Sequence, residues 1–186
     1  MKNKSMLIGV GVSVALAALA TGAATSAQDR YTVKIPNGLA FSEFKGYEGW
    51  QVISVSHNGD MLAVIVGNPA IIAAYKAGVP GNGKPFPDGA KMAKIHWTAK
   101  KNESAPGQPL VAGAFNDTDF MVKDSKRFAD SGGWGYGEFE YDAGSDTFRP
   151  GTLTDSPPQE NNAKCGFACH TVVQKHDYVF TEYPKR

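Results

Sequence analysis

The two cysteines of this chain lie in one short segment that ends in a histidine. Three residues separate Cys165 from Cys169, and His170 follows the second cysteine directly. Two thiols on one helical face can form thioether bonds to the two vinyl groups along one porphyrin edge, and the neighbouring imidazole can coordinate the iron. The segment therefore predicts one covalently bound haem c per chain, with His170 as the metal ligand.

The spacing of the cysteines differs from the usual attachment motif, which has two residues between them instead of three. Positions i and i+4 still share a helical face, so both sulfurs can reach the same porphyrin edge. Three other interpretations compete. Redox-active thiols usually lie two residues apart at the start of a helix, which is not the spacing of these cysteines. A disulfide would account for Cys165 and Cys169 in an oxidising compartment but leaves the adjacent histidine unexplained. A zinc site formed with His176 has no evident fourth ligand.

The function of a histidine-ligated haem depends on whether the iron has a second strong ligand, as it does in simple electron carriers. The candidates for that ligand are Met61, Met92, Met121, His57, His96 and His176. His176 lies six residues after His170, about 240° round a helix, and so faces away. The other candidates lie in no recognisable ligand motif. We therefore expect five-coordinate iron that binds or transforms small molecules.

The first 27 residues have the pattern of a secretory signal peptide. Two lysines near the start precede an apolar run at 6–20, and the small residues Thr25 and Ala27 precede the expected cleavage site. The apolar run is shorter than the ~20 residues that span a bilayer. The sequence thus predicts export to the periplasm and a mature domain of residues 28–186 without a membrane segment.

The size and charge of the predicted mature chain fit one domain with a hydrophobic core of its own. The whole chain has 19 basic and 18 acidic residues, and two of the basic ones fall in the predicted signal peptide. The mature chain is therefore nearly neutral. This balance gives no indication of binding to nucleic acid or to a membrane surface.

The residue pattern predicts a mainly β (α+β) fold, an antiparallel sheet with a few short helices. Strands at 50–56 and 61–66 with turn residues between them predict a hairpin. Asn68, followed by proline, predicts a helix that runs through Lys76 and ends at Gly78. Further strands are predicted at 91–98, 120–123, 134–141 and 178–181, further helical segments at 124–129 and 163–175, and irregular connections at 79–89 and 144–162.

Several segments, in this order along the chain, resemble the cytochrome P460 family, which includes the nitric oxide-binding cytochromes c′-β. They are GWQVISVSH at 49–57, GNP at 67–69, FPDGAKMAKIHW at 86–97, FMVKDSK at 120–126, GGWGY at 132–136, CHT at 169–171 and DYVFT at 177–181. Together they extend over nearly all of the predicted mature chain. The resemblance implies a β-rich, usually dimeric haem domain with five-coordinate iron and His170 as the proximal ligand.

The same resemblance implies a role for one lysine. Family members named P460 oxidise hydroxylamine and carry an additional bond between a lysine amine and the porphyrin rim. The resemblance puts this lysine in the segment after Pro-Asp-Gly, where Lys94 is the best match. Lys91 lies three residues earlier and should point to the opposite face of the same strand.

Three functions are compatible with these features: hydroxylamine oxidation, nitric oxide binding without the lysine bond, and c-type electron transfer. The expected partners are hydroxylamine or nitric oxide, a redox partner protein and a second copy of the chain. The sequence assigns no catalytic residue. A carboxylate would suit proton removal from hydroxylamine, but Glu138 and Glu140 fit ordinary strand positions.

Overall fold

A computed structural model describes residues 27–36, 38–151 and 164–186. Apart from Ala27, the predicted signal peptide lies outside these residues, so its cleavage stays a prediction. The described chain forms a six-stranded antiparallel sheet with a few short helices. The prediction of a mainly β (α+β) fold is therefore confirmed. None of the helices in the described ranges combines the length and apolar character needed to span a bilayer.

The strands lie side by side in the order in which they occur along the chain. They are β1 (Gln51–Asn58), β2 (Met61–Gly67), β3 (Lys91–Lys101), β4 (Leu110–Lys123), β5 (Trp134–Asp142) and β6 (Thr147–Pro150). β1 and β2 form the predicted hairpin, in which Asn58 pairs with Met61 across the turn. Gly59 in this turn has a φ of 60°, a left-handed conformation that glycine adopts without steric cost.

Two α-helices pack beside the sheet, α1 (Pro69–Lys76) and α2 (Lys164–His170). α1 begins as predicted: the side chain of Asn68 accepts a hydrogen bond from the Ile71 amide, and proline occupies the first turn. α2 continues as a 3₁₀ helix at Thr171–His176. Further 3₁₀ segments are Arg30–Thr32, Phe41–Phe44, Tyr47–Gly49 and Ala129–Ser131.

The two faces of the sheet carry different cores, because successive side chains of a strand point to opposite sides. One face packs on the N-terminal segment through an aromatic cluster, in which the Phe41 ring lies 5.3 Å from that of Phe120 and 5.0 Å from that of Phe139. The opposite face packs on α1 and the C-terminal segment. Its buried side chains include Met92, Met121 and Tyr136.

Two predicted segments lack regular secondary structure over most of their length, because other hydrogen bonds take up the backbone. The segment 124–129, predicted as a turn of helix, forms one turn closed by a bond from the Phe128 amide to the Asp124 carbonyl, and a 3₁₀ helix begins at Ala129. The Asp124 carboxylate also accepts bonds from the Lys126 and Arg127 amides. The segment 178–181 is not a strand. Its backbone groups bond to side chains and to the preceding 3₁₀ helix, as where the Tyr75 hydroxyl donates to the Thr181 carbonyl.

The segment 144–162 also differs from the prediction of an irregular connection. β6 lies within it and pairs with β5, where Arg149 lies opposite Glu140. An ion pair between these two side chains joins the strands. Residues 152–163 of this segment lie outside the described part of the chain.

Candidate functional site

A cavity of about 470 Å³ lies between the sheet and the C-terminal part of the chain. This volume falls within the range of about 300–1,000 Å³ that is usual for small-molecule and cofactor sites. Strands β1 to β5, α2 and the segment after the 3₁₀ helix all contribute to its walls. Its lining includes Val55, Ile65, Met92, Lys94, Asp119, Met121, Tyr136, Gly166, His170 and Phe180.

His170, the last residue of α2, lines this cavity in an orientation suited to a metal ligand. Its Nδ1 lies 2.6 Å from the carbonyl oxygen of Tyr178 and donates a hydrogen bond to it. This assignment leaves the lone pair on Nε2 available for coordination. The ring is half-buried, with the ring centroids of Tyr136 and Phe180 each 4.8 Å away. Burial lowers the pKa of His170 and favours the neutral form that metals require.

Both cysteine positions fall within α2, beside the cavity wall. Cys169 is exposed and directly precedes His170. The side chain of Cys165 lies outside the described part of the structure. Four residues apart in one α-helix, the two positions share a face. Between them, Gly166 packs directly on β5: a Cβ there would lie 2.6 Å from Cβ and Cγ of Tyr136. Only glycine therefore permits this approach of α2 to the sheet.

The two lysines considered for a bond to the porphyrin lie on opposite faces of β3. Lys94 is exposed and lines the cavity. Lys91 faces the aromatic core, where its amine donates to the Glu43 carbonyl and lies 5.5 Å from the centre of the Phe44 ring. The cavity is therefore open to Lys94, and Lys91 is occupied elsewhere.

A row of charged side chains crosses the sheet at the level of Lys94. Asp119 on β4 lies directly opposite Lys94, and Glu138 on β5 lies directly opposite Asp119. Both carboxyl groups have raised pKa values, about 6 for Asp119 and about 7 for Glu138. Burial is the main cause in both, and the neighbouring carboxylates add to it. Asp119 lines the cavity, and 43% of its side-chain surface is accessible.

A second charged pair lies beside this row. His96 is buried, and its Nδ1 contacts the carboxylate of Asp117 and lies 3.9 Å from that of Asp119. His96 opposes the rise in the pKa of Asp119. Sequence reasoning assigned no role to Asp117 or Asp119 and treated Glu138 as an ordinary strand residue. Only the register of β3, β4 and β5 brings these groups together, and one sequence does not reveal that register.

The candidates for a second axial ligand divide into two groups. Met92 and Met121 lie opposite each other on β3 and β4, and both line the cavity. The other four candidates, Met61, His57, His96 and His176, are not among the described residues that line it.

The walls of the cavity fit a haem group. His170 offers a nitrogen ligand, and apolar side chains line the wall beside it. Tyr136 lines the cavity, but its hydroxyl is buried and has no hydrogen-bond partner among the described residues. Leaving such a group unpaired costs about 1–3 kcal/mol.

Replacing Gly166 tests the contact between α2 and β5. We expect Gly166→Ala to lower the fraction of purified protein that carries haem, because the new methyl group displaces α2, and His170 with it, from Tyr136. The absorbance ratio of the haem Soret band to the protein band measures this fraction. Ala168→Ser, an exposed position of the same helix, is the matched control. Equal haem content in both variants would contradict the assigned packing.

Comparison with known proteins identifies the family of this chain. A family model described as Cytochrome P460 matches residues 44–181. The matched range begins near the aromatic core and includes Lys94, Asp119 and His170. A search of curated proteins found no matching relative. Since the family match extends over most of the chain, the protein belongs to the cytochrome P460 family.

Proposed function

We propose that this protein is an exported c-type haem protein that oxidises hydroxylamine to nitrogen oxides. Family membership implies the haem cofactor. The observation that carries the proposal is the orientation of His170. Its Nδ1 donates to the Tyr178 carbonyl, and its ring lines a cavity that Lys94 and Asp119 also line. A ligand, a lysine amine and a proton acceptor thus meet in one cavity.

The chain has residues suited to each part of haem binding. We assign Nε2 of His170 to the iron, and the sulfurs of Cys165 and Cys169 to thioether bonds. The apolar side chains of Ile65 and Met92 provide a wall for the flat porphyrin surface. When bound, the haem supplies an iron that binds hydroxylamine or nitric oxide and accepts electrons.

Asp119 is the best candidate for a proton acceptor, because hydroxylamine loses protons when it is oxidised. An efficient base has a pKa near the working pH, and the pKa of Asp119 is about 6. Glu138 lies opposite it with a pKa of about 7 and can take up the proton in turn. The buried His96 lies 3.9 Å from the Asp119 carboxylate on the side away from the cavity lining.

Lys94 is the residue that we assign to the bond with the porphyrin rim. It is exposed on the cavity wall, and the resemblance to proteins named P460 implies such a bond. A covalent change at the macrocycle is one of the means by which a protein alters haem reactivity. The positive charge of the Lys94 amine lowers the pKa of Asp119. Loss of this charge on forming the bond would therefore raise the pKa of Asp119 further.

A second candidate function is supported by the two methionines of the cavity. If the sulfur of Met92 or Met121 coordinates the iron, the protein is an electron carrier, since a second strong ligand closes the open position. Nitric oxide binding is the remaining alternative, and it requires an open position but no lysine bond. The three functions share the same cavity and differ in what occupies the iron and the porphyrin rim.

Location and partners follow from the sequence features in this proposal. The predicted signal peptide supports export to the periplasm, where c-type haem is attached. Electrons released from hydroxylamine require a redox partner protein. The resemblance to the family supports a homodimer with one haem c in each chain.

The covalent links are tested on the full chain expressed together with cytochrome c maturation proteins. We expect the intact mass of the mature protein plus one haem, and a strongly red-shifted Soret band in the reduced protein. Lys94→Arg should lose the red shift, whereas the matched control Lys91→Arg should keep it. An ordinary five-coordinate spectrum in the unchanged protein would instead support nitric oxide binding. A low-spin six-coordinate spectrum would support electron transfer.

The role of Asp119 is tested by the pH dependence of hydroxylamine oxidation. Because the ionised carboxylate accepts the proton, kcat should rise as the pH passes upward through the pKa of Asp119, which is about 6 while Lys94 is charged and higher once the bond to the porphyrin removes that charge. Asp119→Asn should lower kcat by about 10²-fold or more and abolish this limb of the profile. Asp130→Asn, an exposed position, is the control. A variant at position 119 that keeps the limb unchanged would exclude Asp119 as the base.

A further inference from the structure

A buried ion pair lies behind the cavity, outside its lining. Lys123, the last residue of β4, is only 5% exposed. Its amine lies 2.7 Å from the Asp177 carboxylate and donates a 2.9 Å hydrogen bond to the Gly132 carbonyl. It also lies 5.1 Å from the centre of the Trp134 ring. A buried lysine requires partners of this kind to offset the loss of hydration.

Asp177 connects this ion pair to two other parts of the fold. Its second carboxylate oxygen accepts a 2.8 Å hydrogen bond from the Phe86 amide. Its backbone carbonyl accepts a 2.8 Å bond from the indole nitrogen of Trp134. The side chain and backbone of Asp177 are therefore fixed by β4, β5 and the loop before β3.

The segment at Asp177 and Tyr178 needs such support, because both residues have left-handed backbones. Their φ angles are 51° and 63°, a region that residues other than glycine rarely adopt. The Tyr178 ring also packs against Gly132, where a Cβ would lie 2.1 Å from the ring. The ion pair thus holds both the turn and the surface against which its tyrosine packs.

This turn determines the position of one carbonyl group. The Tyr178 carbonyl accepts the hydrogen bond from Nδ1 of His170. A bond of this kind fixes the tautomer and ring orientation of a metal-bound histidine and raises its basicity as a ligand. The described structure gives this nitrogen no other partner.

We infer that Lys123 and Asp177 are positioning residues that hold the Tyr178 carbonyl against His170 and thereby tune the axial ligand of the haem. This inference rests on the proposed role of His170. Lys123, Gly132 and Asp177 fall in the segments 120–126, 132–136 and 177–181 but do not line the cavity. The inference gives a physical reason for a lysine, a glycine and an aspartate at these positions.

The test measures the iron–histidine bond in the haem-loaded protein. In Lys123→Met we expect the iron–histidine stretching band of the reduced protein to shift to lower frequency and the reduction potential to become more positive. The reason is that a weaker hydrogen bond from Nδ1 makes the imidazole a poorer electron donor. Resonance Raman spectroscopy and a redox titration measure these two quantities.

Two further variants separate the effect from a loss of folding. Lys123→Met leaves Asp177 buried without its charge partner, so the double variant Lys123→Met/Asp177→Asn removes both charges together, and the asparagine retains the shape of the Asp177 carboxylate. It should show the same two shifts with native circular dichroism. Lys126→Met, an exposed lysine of the following turn, is the matched control and should show neither shift.

The outcomes distinguish this inference from the proposed function. Unchanged frequency and potential in both the single and the double variant would overturn the positioning role and leave His170 as the ligand. Absence of an iron–histidine band in an unchanged reduced protein whose optical spectrum is five-coordinate and high-spin would instead overturn the assignment of His170, and with it the proposal on which the inference rests.

Discussion

The proposed haem site depends on one hydrogen bond, from Nδ1 of His170 to the carbonyl oxygen of Tyr178. With this bond, Nε2 of a helix-terminal histidine is left free at a cavity wall, as a metal ligand requires. The bond joins two segments that have little regular structure of their own, the end of α2 and a turn with two left-handed residues. Its geometry is therefore imposed by the sheet, through the buried pair of Lys123 and Asp177.

The two-faced sheet explains how the protein can carry ionisable groups at its cavity. The interlocked aromatic rings around Phe41 form an apolar core on one face, away from the cavity. The opposite face can then expose Lys94, Asp119 and Glu138 along one row of three adjacent strands. Like charges directly opposite each other destabilise a sheet. Burial is the main cause of the raised pKa values of the two carboxyl groups, and this repulsion adds to it.

The sequence predicted the features that depend on local signals. The hairpin, the cap at Asn68 and the start of β3 follow from turn residues and alternation, and the fold class follows from them. The segment 178–181 shows the limit of that reasoning. Its aromatic and β-branched residues favour a strand, but contacts with distant parts of the chain take up its backbone groups. Asp119 was missed for the same reason, since its neighbours are set by strand register.

The most direct test is a crystal structure of the mature protein purified with its cofactor. The account predicts a porphyrin in the cavity, bound to Cys165 and Cys169, with iron on Nε2 of His170 and the Tyr178 carbonyl at hydrogen-bond distance from Nδ1. A disulfide between the two cysteines with no porphyrin would contradict it, as would an iron ligand other than His170.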